Sequence, residues 1–290
     1  MRFLLAALLV SGVANANTIA FTGTYAGAST TRSTCATTYN ISGQEPSAAG
    51  TYPVFIYLVG TSETYTNAAA TAAVQGMADR GFVAATLGYA SSQFGNCAAI
   101  AGKAKCVFDP TSAKSAVSAL CARAKAECNK GIAVAGFSQG SIMAMLAKNT
   151  DARVRAVYGM GAGVKYSIYD LSSCVANGTR SLTSDHLRAV DGEVDMFLGP
   201  SQSGVQSQLQ QLTGSTCPAG SYACTQANGS GWQIVQNAQV QDGSADHCYM
   251  RDGGTDCTAS QNTSDAGWLN GTASWALSPS LDWLASFAGP

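Results

Sequence analysis

Gly136-Phe137-Ser138-Gln139-Gly140 sets one serine between two glycines, the arrangement a hydroxyl needs if it is to stand on a very tight turn as a nucleophile. The five-residue pattern alone is weak in a chain this rich in glycine and serine. Its neighbours give it weight. The apolar run Ile132–Ala135 leads straight into it, and Ile142, Met143, Met145 and Leu146 follow at helical spacing. A strand-to-helix turn this short forces Ser138 into strained backbone, tolerable only if Gly136 and Gly140 keep side chains out of the way. Ser138 is then expected above the carboxyl edge of a sheet, beside a helix N-terminus, where developing negative charge is favoured. A serine hydroxyl also needs a base, and the chain holds two histidines, His186 and His247.

Composition removes other chemistries. Sixteen Lys and Arg spread over 290 residues supply no basic stripe, so no nucleic-acid partner is expected. Two histidines and no HExxH leave no basis for a metal site, and no cofactor is implied. Charged residues are 11%, well under the roughly 25% of an average soluble domain, as is common among secreted enzymes. Met1-Arg2, the apolar run Phe3–Val10 and Ala14-x-Ala16 read as a secretory signal peptide over 1–16, cut after Ala16. That run is too short to span a bilayer, and no other stretch is long enough. Ten cysteines in an exported chain favour disulfides. Local pairing predicts Cys97–Cys106, Cys121–Cys128, Cys217–Cys224 and Cys248–Cys257, with Cys35–Cys174 as a long-range tie. Cys121–Cys128 carries a condition: seven residues of unbroken helix would hold them about 10 Å apart, so the helix must stop between them.

The elements that must position these residues alternate. Strands are predicted within 51–61 and over 82–87, 132–135, 154–158, 187–190 and 232–240. Helices are predicted over 67–80, from Thr111, over 140–148, 204–212 and 281–287, with Cys97 and Cys106 on a loop. Residues 17–50 are expected to add two antiparallel edge strands. Strands and helices in alternation with short links mean an α/β fold, a mostly parallel central sheet with helices on both faces, here stabilised by disulfides. One domain is expected over 17–290, with small lid segments near 161–186 and 213–231.

At this point the chain resembles the α/β-hydrolase superfamily, whose triad runs Ser, then Asp or Glu, then His. The resemblance implies Ser138 as nucleophile and His247, in the loop after the last strand, as base. His186 precedes strand 187–190 and would sit at the opposite end of the sheet. The family's acid loop reads strand, Gly, two residues, Asp, which Gly192-Glu193-Val194-Asp195 fits; Asp195 is the expected acid, Asp191 the runner-up, and Glu193 a solvated or supporting residue. Two backbone N–H groups must hold the oxyanion: that of Gln139, and one from the loop after the 51–61 strand, at Thr61 with Ser62 as a close alternative. Gly-Phe-Ser-Gln-Gly with disulfides also resembles cutinases and secreted polyester-hydrolase or dienelactone-hydrolase-like enzymes. The implied activity is a secreted serine esterase acting on a small-molecule or polymeric ester through an acyl-enzyme. A peptidase or amide hydrolase with the same triad, or a non-catalytic binding protein of this fold, are the alternatives. Tyr166, Tyr169 and Trp232 are candidates to line an acyl site.

Overall fold

The structure is a computed structural model that describes residues 17–26, 35, 37–248 and 264–289. Its strands in chain order are β1 (Thr18–Tyr25), β2 (Tyr39–Pro46), β3 (Val54–Leu58), β4 (Val83–Leu87), β5 (Ile132–Phe137), β6 (Val154–Met160), β7 (Lys165–Tyr166), β8 (Tyr169–Asp170), β9 (Leu187–Gly192), β10 (Ala223–Thr225) and β11 (Gly231–Val235). Nine of them form one sheet in the order β1-β2-β4-β3-β5-β6-β9-β11-β10. The run from β4 to β11 is parallel throughout, and antiparallel pairs occur only at the two ends, β1–β2–β4 and β11–β10. Every residue of β3, β4 and β5 is buried, which is why these segments read as unbroken apolar runs rather than alternating ones.

The helices are α1 (Ala68–Asp79), α2 (Cys97–Phe108), α3 (Ala116–Cys121), α4 (Gln139–Leu146), α5 (Ser172–Val175), α6 (Gln202–Thr213), α7 (Ala266–Leu269) and α8 (Leu277–Ala285). α1 packs on α8, and α4 packs on β5 and β6 with α2 and α5 against it. Caps explain several starts: Asn67 Oδ1 accepts the Ala70 N–H at 2.8 Å, Asn96 Oδ1 the Ala99 N–H at 3.1 Å, and Ser115 Oγ the Ser118 N–H at 3.2 Å. No helix of the described residues is long and apolar enough to cross a membrane.

Three expectations need correction. The segment carrying Cys97 and Cys106 is a helix, α2, burying Ile100, Ala104, Val107 and Phe108 on one stripe. Nine helical steps put Cys97 and Cys106 about 13 Å apart, beyond the reach of a disulfide. Each therefore pairs far away, Cys35–Cys106 with Cα atoms 5.5 Å apart and Cys97–Cys174 at 5.9 Å. Cys121–Cys128 and Cys217–Cys224 pair locally as expected, the first because α3 ends at Cys121. Cys248 is disulfide-bonded, and its expected partner Cys257 lies outside the described residues, as does the expected signal peptide. Finally, the last long strand stops at Val235. A capping box between Gln236 and Gln239 turns the chain into a short 3-10 helix although the apolar alternation continues.

Candidate active site

β5 ends at Phe137 and α4 begins at Gln139, so Ser138 alone makes the turn, with φ 51° and ψ −119°. Few non-glycine residues occupy that region, and surrounding structure must hold one there. The Ser138 N–H donates to the Met160 carbonyl at 2.8 Å, and its own carbonyl accepts the Ser141 N–H at 2.9 Å and the Ser141 hydroxyl at 2.6 Å. The flanking glycines are obligatory. A Cβ on Gly136 would lie 2.4 Å from the Gly140 carbonyl group, and one on Gly140 would lie 2.2 Å from the Leu58 oxygen.

His247 and Asp195 meet at the carboxyl ends of β9 and β11. His247 Nδ1 lies 2.5 Å from Asp195 Oδ2, with the two side chains 4% and 1% exposed. Asp195 Oδ1 accepts the Phe197 N–H at 3.0 Å, which fixes the carboxylate's orientation. The loops carrying the pair are stitched together. Val194 N–H donates to the Ala245 carbonyl at 3.1 Å. Glu193 accepts from the Asn237 N–H and side-chain amide, and Asn237 Oδ1 accepts the Ala245 N–H at 2.7 Å. A Cβ on Gly192 would fall 2.0 Å from the Ala245 oxygen, so that glycine permits the crossing. The His247 ring contacts Phe137, at 4.9 Å, and Phe197, at 4.7 Å between centroids. Ser138 and His247 line one pocket of about 200 Å³.

Asp191, the runner-up for the acid, is fully buried and bonded elsewhere. Its Oδ1 accepts the Ala162 N–H at 2.6 Å, while Oδ2 has no hydrogen-bond partner among the described residues. Burial, helped by the nearby Asp195 charge, holds its pKa well above the ordinary carboxylate range. His186 lies at the amino end of β9, against Asp185, Thr183 and the Phe287 ring, away from the pocket.

The turn after β3 presents its N–H groups selectively. Gly60 N–H donates to Glu63 Oε2 at 2.5 Å and Ser62 N–H to the Ser91 carbonyl at 3.1 Å. Ser62 is thereby occupied. Thr61 lines the pocket, and neither its N–H nor that of Gln139, at the first position of α4, donates to a protein acceptor among the described residues. The Gln139 side chain spans the gap between them: Nε2 donates to Thr61 Oγ1 at 2.9 Å and to the Gln93 carbonyl at 3.1 Å. Lys103 of α2 completes the network, its Nζ donating to Gln139 Oε1 at 2.8 Å, to the Phe94 carbonyl at 3.0 Å and to the Gln93 carbonyl. Desolvation lowers the Lys103 ammonium to about 8.

No protein-family model and no curated protein matches the chain. Among solved structures, it is similar to a cold-adapted esterase from an Arctic intertidal metagenomic library, with 12% identity over 94% of this chain and 95% of that one and a TM-score of 0.56. The chain has the α/β-hydrolase fold. It is also similar to an α/β serine hydrolase without a lid from Xanthomonas campestris (12% identity, 74% of this chain and 82% of that one, TM-score 0.46). A third likeness is to a hypothetical protein of Pseudomonas aeruginosa (17% identity, 64% of this chain, TM-score 0.38), of which the chain spans little more than half, 55%.

On this α/β-hydrolase sheet the remaining pocket wall comes from Phe94, Phe137, Tyr166, Ser167, Tyr169 and Phe197. Tyr166 and Tyr169 were sequence candidates. Trp232 was another, but it is fully buried in β11 with its indole N–H on the Ser215 carbonyl. Phe94, Phe197 and Lys103 were not candidates. Lys103 carried a signal, since it occupies the buried stripe of α2 between Ile100 and Val107. Residues 161–186 supply three wall residues, whereas 213–231 form β10 and the Cys217–Cys224 loop at the sheet edge.

Proposed function

We propose that the chain is a secreted serine esterase that cleaves carboxylic esters through an acyl-enzyme. The observation that carries this reading is the convergence of Ser138, on its strained turn, with the paired His247 in one pocket. With Nδ1–H donating to Asp195, the His247 tautomer leaves Nε2 free to take the Ser138 proton. Ser138 Oγ then bonds to the ester carbonyl carbon, and the resulting oxyanion accepts the Gln139 and Thr61 N–H groups. The imidazolium returns its proton to the departing alkoxide, the C–O bond breaks, and the acyl group stays on Ser138. Water repeats the sequence, with His247 as base, to release the acid.

Nothing in this scheme uses a metal or cofactor, and the substrate is a small-molecule or polymeric ester. An exported protein beginning at Asn17 is expected if residues 1–16 are a signal peptide. The test of the chemistry is covalent labelling by a fluorophosphonate, located by peptide mapping. Wild type should be labelled at Ser138 and turn over simple esters, and Ser138→Ala should do neither while keeping its melting temperature. An unlabelled wild type, or a folded Ser138→Ala that still hydrolyses esters, rejects the assignment.

A further inference from the structure

We propose that the pocket selects esters whose acyl part ends in a planar aromatic ring, an inference that rests on the ester-hydrolase reading above. Among the described residues nine line the pocket; five of these are Phe or Tyr, and none carries an Asp, Glu, Lys or Arg side chain. The rings fall into two groups with different work. Phe137 and Phe197 both pack against His247. His247 must hand its proton to the leaving alcohol, so the alcohol lies on that side. The acyl part is left with the second group, Phe94, Tyr166 and Tyr169. Phe94 meets Tyr166 at 4.8 Å and 42° between planes, and Tyr169 at 5.4 Å and 35°.

These three rings form a fixed wall. The Phe94 carbonyl is held by Lys103 Nζ. The Tyr166 hydroxyl donates to the Gly161 carbonyl and accepts the Gly163 N–H, so its hydrogen-bonding capacity is used on the backbone. Cys97–Cys174 joins the start of α2, just after Phe94, to α5, just after Tyr169, and a Lys165–Asp170 ion pair closes the hairpin between the two tyrosines. A wall already in place costs little to order on binding, and its rings reward a partner that stacks offset or edge-on. A saturated ring or a flexible alkyl chain of equal carbon count fills the space without those contacts.

The test compares ethyl 3-phenylpropanoate, ethyl 3-cyclohexylpropanoate and ethyl nonanoate. All three have nine acyl carbons, an unconjugated carbonyl and the same small alcohol. Wild type should favour the phenyl ester over the other two by roughly tenfold in kcat/KM, the equivalent of about 1.4 kcal/mol. Phe94→Leu and Tyr169→Leu, made separately so that either can report if the other misfolds, should each cut that ratio to about threefold or less. Fluorophosphonate labelling of each variant confirms an intact Ser138. A labelled wild type with phenyl and cyclohexyl esters within about twofold, or with nonanoate the best, overturns the aromatic preference and leaves the hydrolase reading standing. Absence of both labelling and turnover in wild type rejects the hydrolase reading and this inference with it.

Discussion

The side-chain amide of Gln139 donates to Thr61 Oγ1 at 2.9 Å, so the two residues proposed to hold the oxyanion by their backbones are tied directly to each other. Neither backbone N–H has a protein acceptor among the described residues, and a donor pair is useful only if its spacing is kept. Lys103, 5% exposed, closes the arrangement from behind by donating to Gln139 Oε1 and to two loop carbonyls.

Lys103→Met is therefore expected to lower kcat by roughly 10–100-fold with much less change in KM, because the interaction lost matters most when the oxyanion forms. The wild-type profile should also fall as pH rises through about 8, where Lys103 loses its charge. That limb should vanish in the variant. The sign for stability is opposite: with its pKa lowered from 10.5 to about 8, the folded protein binds fewer protons than the unfolded one between those values. Stability attributable to Lys103 therefore grows from pH 8 to 10.5, and its full cost is present below pH 8. An equal loss in kcat and rise in KM, with no change in the alkaline limb, would reduce Lys103 to a packing residue.

Asp195 and Asp191 separate by substitution. Asp195→Asn should cut turnover by up to about 10⁴-fold with little loss of stability, because Asn presents His247 with the wrong tautomer. Asp191→Asn keeps an acceptor for the Ala162 N–H and should leave turnover nearly intact. Its effect is on stability. A carboxyl whose folded pKa is raised costs nothing below the ordinary carboxylate range, and the cost grows as pH rises above it. Asp191→Asn should therefore melt at or above wild type at pH 7, with the advantage shrinking toward pH 4. If Asp191→Asn is the inactive variant, the acid has been misassigned.

What was legible in the sequence follows from how each signal is encoded. Strands β3, β4 and β5 are buried on both faces and read as apolar runs, and Ser138 reads through the two glycines its turn demands. Helix α2 does not read as a helix because its cysteines and Lys103 break up the apolar series Ile100, Ala104 and Val107, yet Lys103 is buried for its bonds to the Gln93 and Phe94 carbonyls and to Gln139 Oε1. Pairing of Cys35 with Cys106 and of Cys97 with Cys174 depends on which segments meet in space, and chain spacing does not encode that. The same holds for Phe94 and Phe197. Each follows a different strand, and only the folded sheet brings them to one pocket.

Ser138 holds φ 51° without being glycine, so relieving that strain has a measurable consequence. Ser138→Gly should be inactive and more stable than Ser138→Ala by about 1 kcal/mol, because glycine adopts positive φ without a Cβ clash. Gly140→Ala should do the reverse. Its Cβ would meet the Leu58 and Val59 backbone oxygens at 2.2 and 2.5 Å, which no side-chain rearrangement relieves. A loss of about 3 kcal/mol or more, or failure to fold, is expected by thermal or urea unfolding. If Ser138→Gly and Ser138→Ala melt together, the turn stores no usable strain.

Cys97–Cys174 is the bridge whose loss should be felt in the pocket before the fold. It joins the start of α2 to α5, and so spans from the segment after Phe94 to the segment after Tyr169. The bridged cysteines are 77 residues apart, and constraining a loop of that size is worth about 4.5 kcal/mol on the chain-entropy model. The nine-stranded sheet has its own large core, so a Cys97→Ser, Cys174→Ser double variant should still fold cooperatively, with a lower melting temperature. Its kcat/KM for the phenyl ester should fall several-fold, mainly through KM, as the Phe94–Tyr169 contact loosens. The Cys217→Ser, Cys224→Ser pair is the control, since that bridge closes a short loop at the sheet edge that contributes no residue to the pocket wall. It should lose stability alone. Equal KM effects from the two double variants would show that the Cys97–Cys174 bridge acts only on the fold and does not hold the wall.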